Sequence, residues 1–208
     1  MQTNQRGFLI VFSGPSGCGK GTVVRRILAE RDDTVLSVSV TTRAPRAEDT
    51  EGVSYFFRTR EQVETMIENN ELLEYAEYNG NYYGTPKAAV EAHLEAGRNV
   101  ILEIEVQGAE KVMGSWEEPL VSLFLAAPSL AELERRLRGR ETEKEQDIQN
   151  RLAAAREELG HIGRYQYLVV NDVVDAAVQR VHTIIDAEKL RVSRNTDEVE
   201  DLYYVEPQ

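Results

Sequence analysis

Between positions 8 and 20 the chain passes from five consecutive apolar residues, FLIVF, through Ser13 into Gly14-Pro15-Ser16-Gly17-Cys18-Gly19-Lys20, and this junction constrains the fold more than any other feature. An unbroken apolar run this short suits a strand buried on both faces of a parallel sheet. Beyond the loop, Val23, Val24, Ile27 and Leu28 fall on one helical face, with Arg25, Arg26 and Glu30 opposite. Strand, glycine loop and helix in that order aim several backbone N–H groups and a helix N-terminus at one point, where Lys20 adds a charge. That is a cradle for phosphate oxygens. Given this chain's 14 glycines and five lysines, roughly 0.02 accidental matches to the Gly-x4-Gly-Lys pattern are expected. The pattern breaks once: Gly21 follows the lysine, and the hydroxyl arrives a step later at Thr22. A side chain at the usual position therefore cannot ligate Mg²⁺ directly.

The alternation of strand and helix continues. Segments 99–105, 120–126 and 167–170 read as strands. Ser129 with Glu132 three residues on has capping-box spacing and opens a helix that carries Leu130, Leu133 and Leu137 inward. From Asp172 onward Val174, Val178, Val181 and Ile185 share a face, flanked by Ala177 and Ile184. The expected fold class is α/β, a mainly parallel sheet of the P-loop NTPase type with helices on both faces. Two stretches break the rhythm. Residues 38–88 hold strand-like pieces (VSVTT, VSYFF, GNYYG) and a short helix near 61–68, which predicts an inserted α+β region. Residues 135–149 are almost wholly polar, with Gly139 among them, and predict a short helical lid. One domain over 1–208 follows, with a core of 1–37, 89–134 and 150–193, the insertion at 38–88, the lid at 135–149 and an acidic tail at 194–208.

Composition narrows the chemistry. A chain of 208 residues can bury roughly 70% of its unfolded surface and needs no staples. Cys18 is its only cysteine and His93, His161 and His182 are scattered, which excludes an intrachain disulfide and every Cys/His zinc template. The net charge of −12 argues against nucleic acid or anionic lipid as a partner, so an anionic ligand must be met by local cations. Nineteen of the 24 cations are arginine, the residue suited to bidentate phosphate recognition. The opening residues lack both a membrane span and a secretory cleavage site, predicting a cytoplasmic protein. Oligomeric state is not readable, because the sheet claims every long apolar face.

Beyond the loop, Ser37-Val-Ser-Val-Thr-Thr-Arg43-Ala-Pro-Arg46, Glu51-Gly-Val-Ser-Tyr55-Phe-Phe, Glu74 and Gly80-Asn-Tyr-Tyr-Gly-Thr85 follow in order. Then come Leu102-Glu-Ile-Glu-Val-Gln-Gly108, Arg136-Leu-Arg-Gly-Arg140 and Val169-Val-Asn-Asp172. Together with the Gly-Lys-Gly-Thr form of the loop, these resemble the guanylate kinases among the nucleoside monophosphate kinases, over nearly the whole chain. The resemblance implies transfer of the ATP γ-phosphoryl group to GMP, and to dGMP, with Mg²⁺ carried by ATP, in purine nucleotide metabolism.

It also implies roles. ATP would be bound by Gly14, Pro15, Ser16, Gly17, Cys18, Gly19, Lys20, Gly21, Thr22 and Asn171. GMP would be bound by Ser39, Arg43, Arg46, Tyr55, Glu74, Tyr83, Thr85 and Glu103: Glu74 takes the N1 and N2 donors of guanine, Ser39 and Thr85 lie at the base edge, and the two arginines and two tyrosines grip the phosphate. Adenine lacks the N1 donor and would leave the carboxylate unpaired, so such a site can discriminate by about 10⁴-fold. Lys20, Arg43, Arg136, Arg140 and Arg151 would offset the charge of the transferring group, making catalysis a matter of positioning and electrostatics. Glu103 and Glu105 stand where the family carries Asp. No direct protein ligand to the metal is expected, only water-mediated contact near Thr22 and Glu103. Arg135 and Arg138 are expected in ion pairs on their own helix with Glu132, Glu134 and Glu141. Two other readings are available: a kinase of the same architecture with another acceptor, which Glu74, Ser39 and Thr85 oppose, and a non-catalytic peptide-binding module, which the intact loop opposes.

Overall fold

β1 (Leu9–Ser13) is buried at all five positions, since strands flank both its edges and helices cover both its faces. A computed structural model describes residues 6–78, 80–139 and 145–195. β1 pairs in parallel with β7 (Asn99–Glu103) and with β8 (Val121–Ala126). β2 (Thr34–Leu36) and β9 (Tyr167–Val170) complete the all-parallel order β2-β7-β1-β8-β9. Successive side chains of β1 leave on opposite faces. Ile10 and Phe12 join a core with Val23 and Ile27 of α1 (Lys20–Glu30), Leu133 and Leu137 of α5 (Leu130–Arg138), Leu152 of α6 (Glu145–Leu159), and Val178 and Val181 of α7 (Val174–Lys189). Leu9 and Val11 join a second core with Val90 and Leu94 of α3 (Lys87–Glu95) and Ala109 and Val112 of α4 (Val106–Ser115). The fold is the expected α/β architecture, and the apolar periodicity of the last helix lies on its buried face.

A second sheet has the order β4-β3-β6-β5, with β3 (Val40–Thr41), β4 (Phe56–Phe57), β5 (Leu72–Tyr78) and β6 (Asn81–Pro86). Its small core sets Val40 and Leu72 against Val63 of α2 (Arg60–Glu68). α2 begins with a reciprocal capping box: Gln62 N donates to Thr59 Oγ1 at 3.2 Å, and Thr59 N to Gln62 Oε1 at 2.9 Å. Such caps are worth about 1 kcal/mol. Between Leu72 and Tyr75 the β5–β6 register shifts, so that Leu72, Leu73 and Glu74 are all buried in succession. That bulge turns Glu74 toward α4.

The polar stretch expected to form a lid falls on the end of α5, which stops at its C-cap Gly139, and on the start of α6. Arg138 binds Glu134 and Arg135 binds Glu132, as expected of these two arginines, while Arg138 also reaches Glu145 on α6, a partner that was not expected. Arg140, Glu141 and residues 196–208 of the acidic tail lie outside the described residues. Among the described residues no helix is long and apolar enough to cross a membrane.

Candidate active site

The loop from Gly14 to Gly19 joins β1 to α1 and is shaped by its glycines. Gly14 and Gly19 have φ of +147° and +98°, which side chains strongly disfavour. A Cβ at Gly14 would lie 2.1 Å from Leu125 O, and one at Gly19 would lie 2.5 Å from Asn171 Nδ2. Cys18 points into the core, and burial pushes its thiol up, so it fills space beneath the turn. Lys20 opens α1. Its Nζ donates to the Gly14 carbonyl and sits 3.7 Å from Glu105 Oε1. Pro15, Ser16 and Gly17 form the bend, while Gly21 and Thr22 lie in the first turn of the helix, with Thr22 Oγ1 accepting from Arg25 Nη2 at 3.5 Å.

Three further groups brace this loop. Asn171 follows β9, is only 2% exposed, and donates from Nδ2 to Cys18 O at 2.8 Å. Its amide is thus engaged beneath the loop rather than displayed to the cleft. Arg136 donates from Nε to Glu132 at 2.8 Å, from Nη2 to Asn171 O at 2.9 Å and from Nη1 to Cys18 O at 3.4 Å. Arg151 reaches from α6 to Ser16 Oγ at 3.4 Å. Both arginines sit at the loop, and Arg136 is committed to protein acceptors.

The second sheet supplies a different pocket. Thr85 Oγ1 donates to Glu74 Oε1 at 2.7 Å. Burial pushes the Glu74 carboxyl above the usual range, opposed by the Thr85 hydrogen bond and the charge of Lys111. Gly108 of α4 forms the wall: a Cβ there would lie 3.1 Å from Glu74 Oε2. Ser39 directly precedes β3, and its carbonyl accepts from Phe56 N at 2.9 Å. Val40 pairs with Gly84, so the strand carrying Ser39 runs beside the strand carrying Thr85.

Nearby, Arg43 lies over the Tyr55 ring at 5.4 Å, and the Tyr55 and Tyr83 rings meet edge to face at 5.9 Å. Arg43 Nη2 donates to Asp49 Oδ2 at 2.8 Å, and the Arg46 N–H donates to the same oxygen at 2.8 Å. Those contacts, the backbone donor first, hold the Asp49 carboxyl below the usual range. The Arg46 side chain is exposed beside them. Tyr55, Tyr83, Arg43 and Arg46 are therefore brought together around one patch. Asp49 was not expected there; nothing in the local sequence separates it from its neighbour Glu48, since only the fold sets it against two arginines.

Glu103 ends β7 close to the first turn of α1: a Cβ on Gly21 would lie 3.6 Å from Glu103 Oε1. The protein bulk around it raises its carboxyl, and Lys20 and Arg25 oppose the rise. Glu105, two residues later, occupies the N-cap position of α4 without a side-chain cap bond. The start of α4 thus borders both sites, because Glu105 at its N-cap position lies near Lys20 while Gly108, three residues on, lies against Glu74.

A phosphate loop on a parallel sheet, joined by one helical turn to a carboxylate and hydroxyl pocket on a second sheet, defines a kinase of the P-loop class. The family model for guanylate kinase matches residues 6–188. Guanylate kinase of Caldanaerobacter subterraneus is 46% identical over 197 residues, covering 95% of each chain. That of Enterococcus faecalis is 51% identical over 192 residues, covering 92% of this chain and 94% of its own. The crystal structure of guanylate kinase from Anaplasma phagocytophilum superposes with a TM-score of 0.74 at 33% identity, covering 98% of this chain and 99% of that one. The chain belongs to the guanylate kinase family.

Proposed function

We propose that the chain transfers the γ-phosphoryl group of ATP to GMP, giving ADP and GDP, and accepts dGMP in the same site. The observation that carries this reading is the first turn of α4, which sets Glu105 3.7 Å from Lys20 and Gly108 against the Glu74 carboxylate. The phosphate loop and the Glu74 pocket thus both border the start of α4.

The geometry supports a role for each group. The loop N–H groups and Lys20 receive the β- and γ-phosphates of ATP, for which Lys20 exchanges its carbonyl partner at Gly14. Glu74, ionised, accepts from guanine N1 and N2, while Thr85 holds its other oxygen and Ser39 borders the base. Arg43 and Arg46, with the Tyr55 and Tyr83 hydroxyls, take the GMP phosphate once Asp49 yields Arg43. Arg151, already at Ser16, adds charge from the donor side, a role that for Arg140 rests on the family resemblance alone, and Arg136 with Asn171 holds the loop in shape. Bringing the triphosphate of ATP into line with the phosphate of GMP costs several kcal/mol of repulsion, which these cations offset. No covalent enzyme intermediate is needed.

Mg²⁺ fits this site as a cation carried by ATP. Among the described residues no group of three or more His, Cys, Asp or Glu could hold a metal alone. The Glu103 carboxylate beside Gly21 and the Thr22 hydroxyl are hard oxygen donors of the type Mg²⁺ takes through its waters, with phosphate oxygens as direct ligands. When bound, the ion would neutralise charge developing on the phosphates.

The test is ADP release with Mg²⁺ and ATP, offering GMP, dGMP, AMP, CMP and UMP separately. Turnover should be confined to the guanine nucleotides and fall about 10²-fold or more in Lys20→Met. Equal turnover with another base, or none with GMP, overturns the reading.

A further inference from the structure

At the end of the central sheet opposite the phosphate loop lies a cavity of about 300 Å³ that the proposed reaction does not use. Leu120 and Ser122 at the start of β8 line it, as does Gln166 directly before β9, whereas the loop meets β8 at Leu125. Leu120 and Leu125 stand about 16 Å apart along that strand. Met113 and Trp116 at the end of α4 join Leu120 in an apolar wall, and all three pack half-buried on the second core. The rest of the lining carries three arginines, Arg164, Arg191 and Arg194.

The contacts of these groups define what the cavity can hold. Arg191 donates from Nε and Nη2 to Glu188 at 2.9 and 2.6 Å, and Arg194 donates from Nη2 to the same carboxylate at 3.4 Å. Glu188 is only 3% exposed, so one buried carboxylate holds two guanidinium groups and one positive charge stays uncompensated. Arg164 is balanced by Glu110 at 2.6 Å. Glu118, the one carboxylate in the lining among the described residues, is engaged by Arg6 through two contacts of 3.2 and 3.1 Å. Gln166 Oε1 accepts from Ser122 N at 2.8 Å, which leaves the amide NH2, a donor, for a ligand. Ser122 Oγ accepts from Gln166 N at 3.0 Å, and the Pro119 carbonyl accepts from Arg194 Nη1 at 3.1 Å. The cavity therefore presents donors and one unmatched positive charge beside an aromatic and thioether wall.

We propose that this cavity is a binding site for a small aromatic carboxylate, separate from both nucleotide sites. The carboxylate accepts from Arg191 and the Gln166 amide, and one such group matches the one unmatched charge. The ring lies against Trp116 and Met113, contacts that an indole and a thioether favour. A volume of about 300 Å³ is at the small end for ligand sites and admits roughly ten to fifteen non-hydrogen atoms. A nucleotide polyphosphate would instead bring several charges close to Glu110, Glu118 and Glu188. The inference does not depend on which phosphate acceptor the enzyme uses.

Trp116 is the only tryptophan in the sequence, so its indole N–H gives a single resonance that reports on the cavity. The experiment follows that resonance in the isotope-labelled full chain during titration with phenylacetate, with its neutral isostere phenylacetamide and with acetate. Phenylacetate should shift it saturably with a Kd of about 1 mM, the order for a ligand of about ten non-hydrogen atoms. Phenylacetamide should bind at least about tenfold more weakly, and acetate should give no saturable shift. Arg191→Gln should weaken phenylacetate by about tenfold. The wild-type curve should be unchanged when GMP and ADP are both present in excess. No shift with phenylacetate, equal affinity for acid and amide, or loss of the shift on adding GMP and ADP overturns the inference. Should Arg191→Gln not fold, the comparison of acid with amide in wild type decides the role of the charge alone.

Discussion

Thr85 Oγ1 donates to Glu74 Oε1 at 2.7 Å where Glu74 is only 9% exposed, so one oxygen of a buried carboxyl is fixed by the protein and the other stays available. Burial raises this carboxyl above its usual range, and the Thr85 hydroxyl is the first of the two influences that oppose the rise. Only the ionised form can accept from two guanine donors at once. The KM for GMP should therefore rise as pH falls through the raised value. In Thr85→Val the opposing hydrogen bond is gone, so that acid limb should move to higher pH. An unmoved limb, measured beside wild type so that titration of the GMP phosphate cancels, would show that Glu74 does not read the base.

Gly108 matters because α4 passes directly behind that carboxylate. An added Cβ lies 3.1 Å from Glu74 Oε2, so Gly108→Ala must displace the carboxylate by a few tenths of an ångström. Misplacement of that order should lower kcat/KM for GMP by about tenfold while leaving the KM for ATP unchanged. Equal losses for both nucleotides would indicate a general disturbance of α4 instead.

Asp49 holds Arg43 at 2.8 Å and thus competes with an incoming phosphate for the same guanidinium. Asp49→Asn keeps an acceptor for the Arg46 N–H but removes the charge. GMP should then bind about two- to fivefold more tightly, the scale of an accessible ion pair. Weaker binding would mean that Asp49 instead organises the loop for its ligand.

Asn171 lies under the loop and its Nδ2 donates to Cys18 O at 2.8 Å in a buried setting. Asn171→Ala leaves that carbonyl without this donor and opens space beneath Gly19. Stability should fall by about 1–3 kcal/mol in urea denaturation, with a higher KM for ATP. Unchanged stability would contradict the bracing role.

Much of this was legible from residues 8–28, because a doubly buried strand, a positive-φ glycine loop and an amphipathic helix leave one arrangement open to them. Leu133, Leu137, Val178 and Val181 likewise declared their buried faces through helical spacing, whereas Leu130, expected inward with the first two, opens α5 and is 39% exposed. The second sheet was harder. β3 and β4 contribute only two residues each, too short for a period, and the bulge at Leu73 and Glu74 breaks the alternation that would have announced β5. Glu74, Arg43 and Thr85 were found through motif resemblance, whereas Asp49 and Gly108 act only through tertiary approach.

The central claim is that a buried carboxylate chooses guanine for phosphorylation, and the most direct measurement is kcat/KM for GMP and for AMP in wild type and Glu74→Gln. Wild type should favour GMP by about 10⁴-fold. The variant should lose about 10²-fold or more with GMP while AMP stays nearly unchanged. A wild type that uses AMP as well as GMP, or a variant that keeps the full preference, would contradict the account.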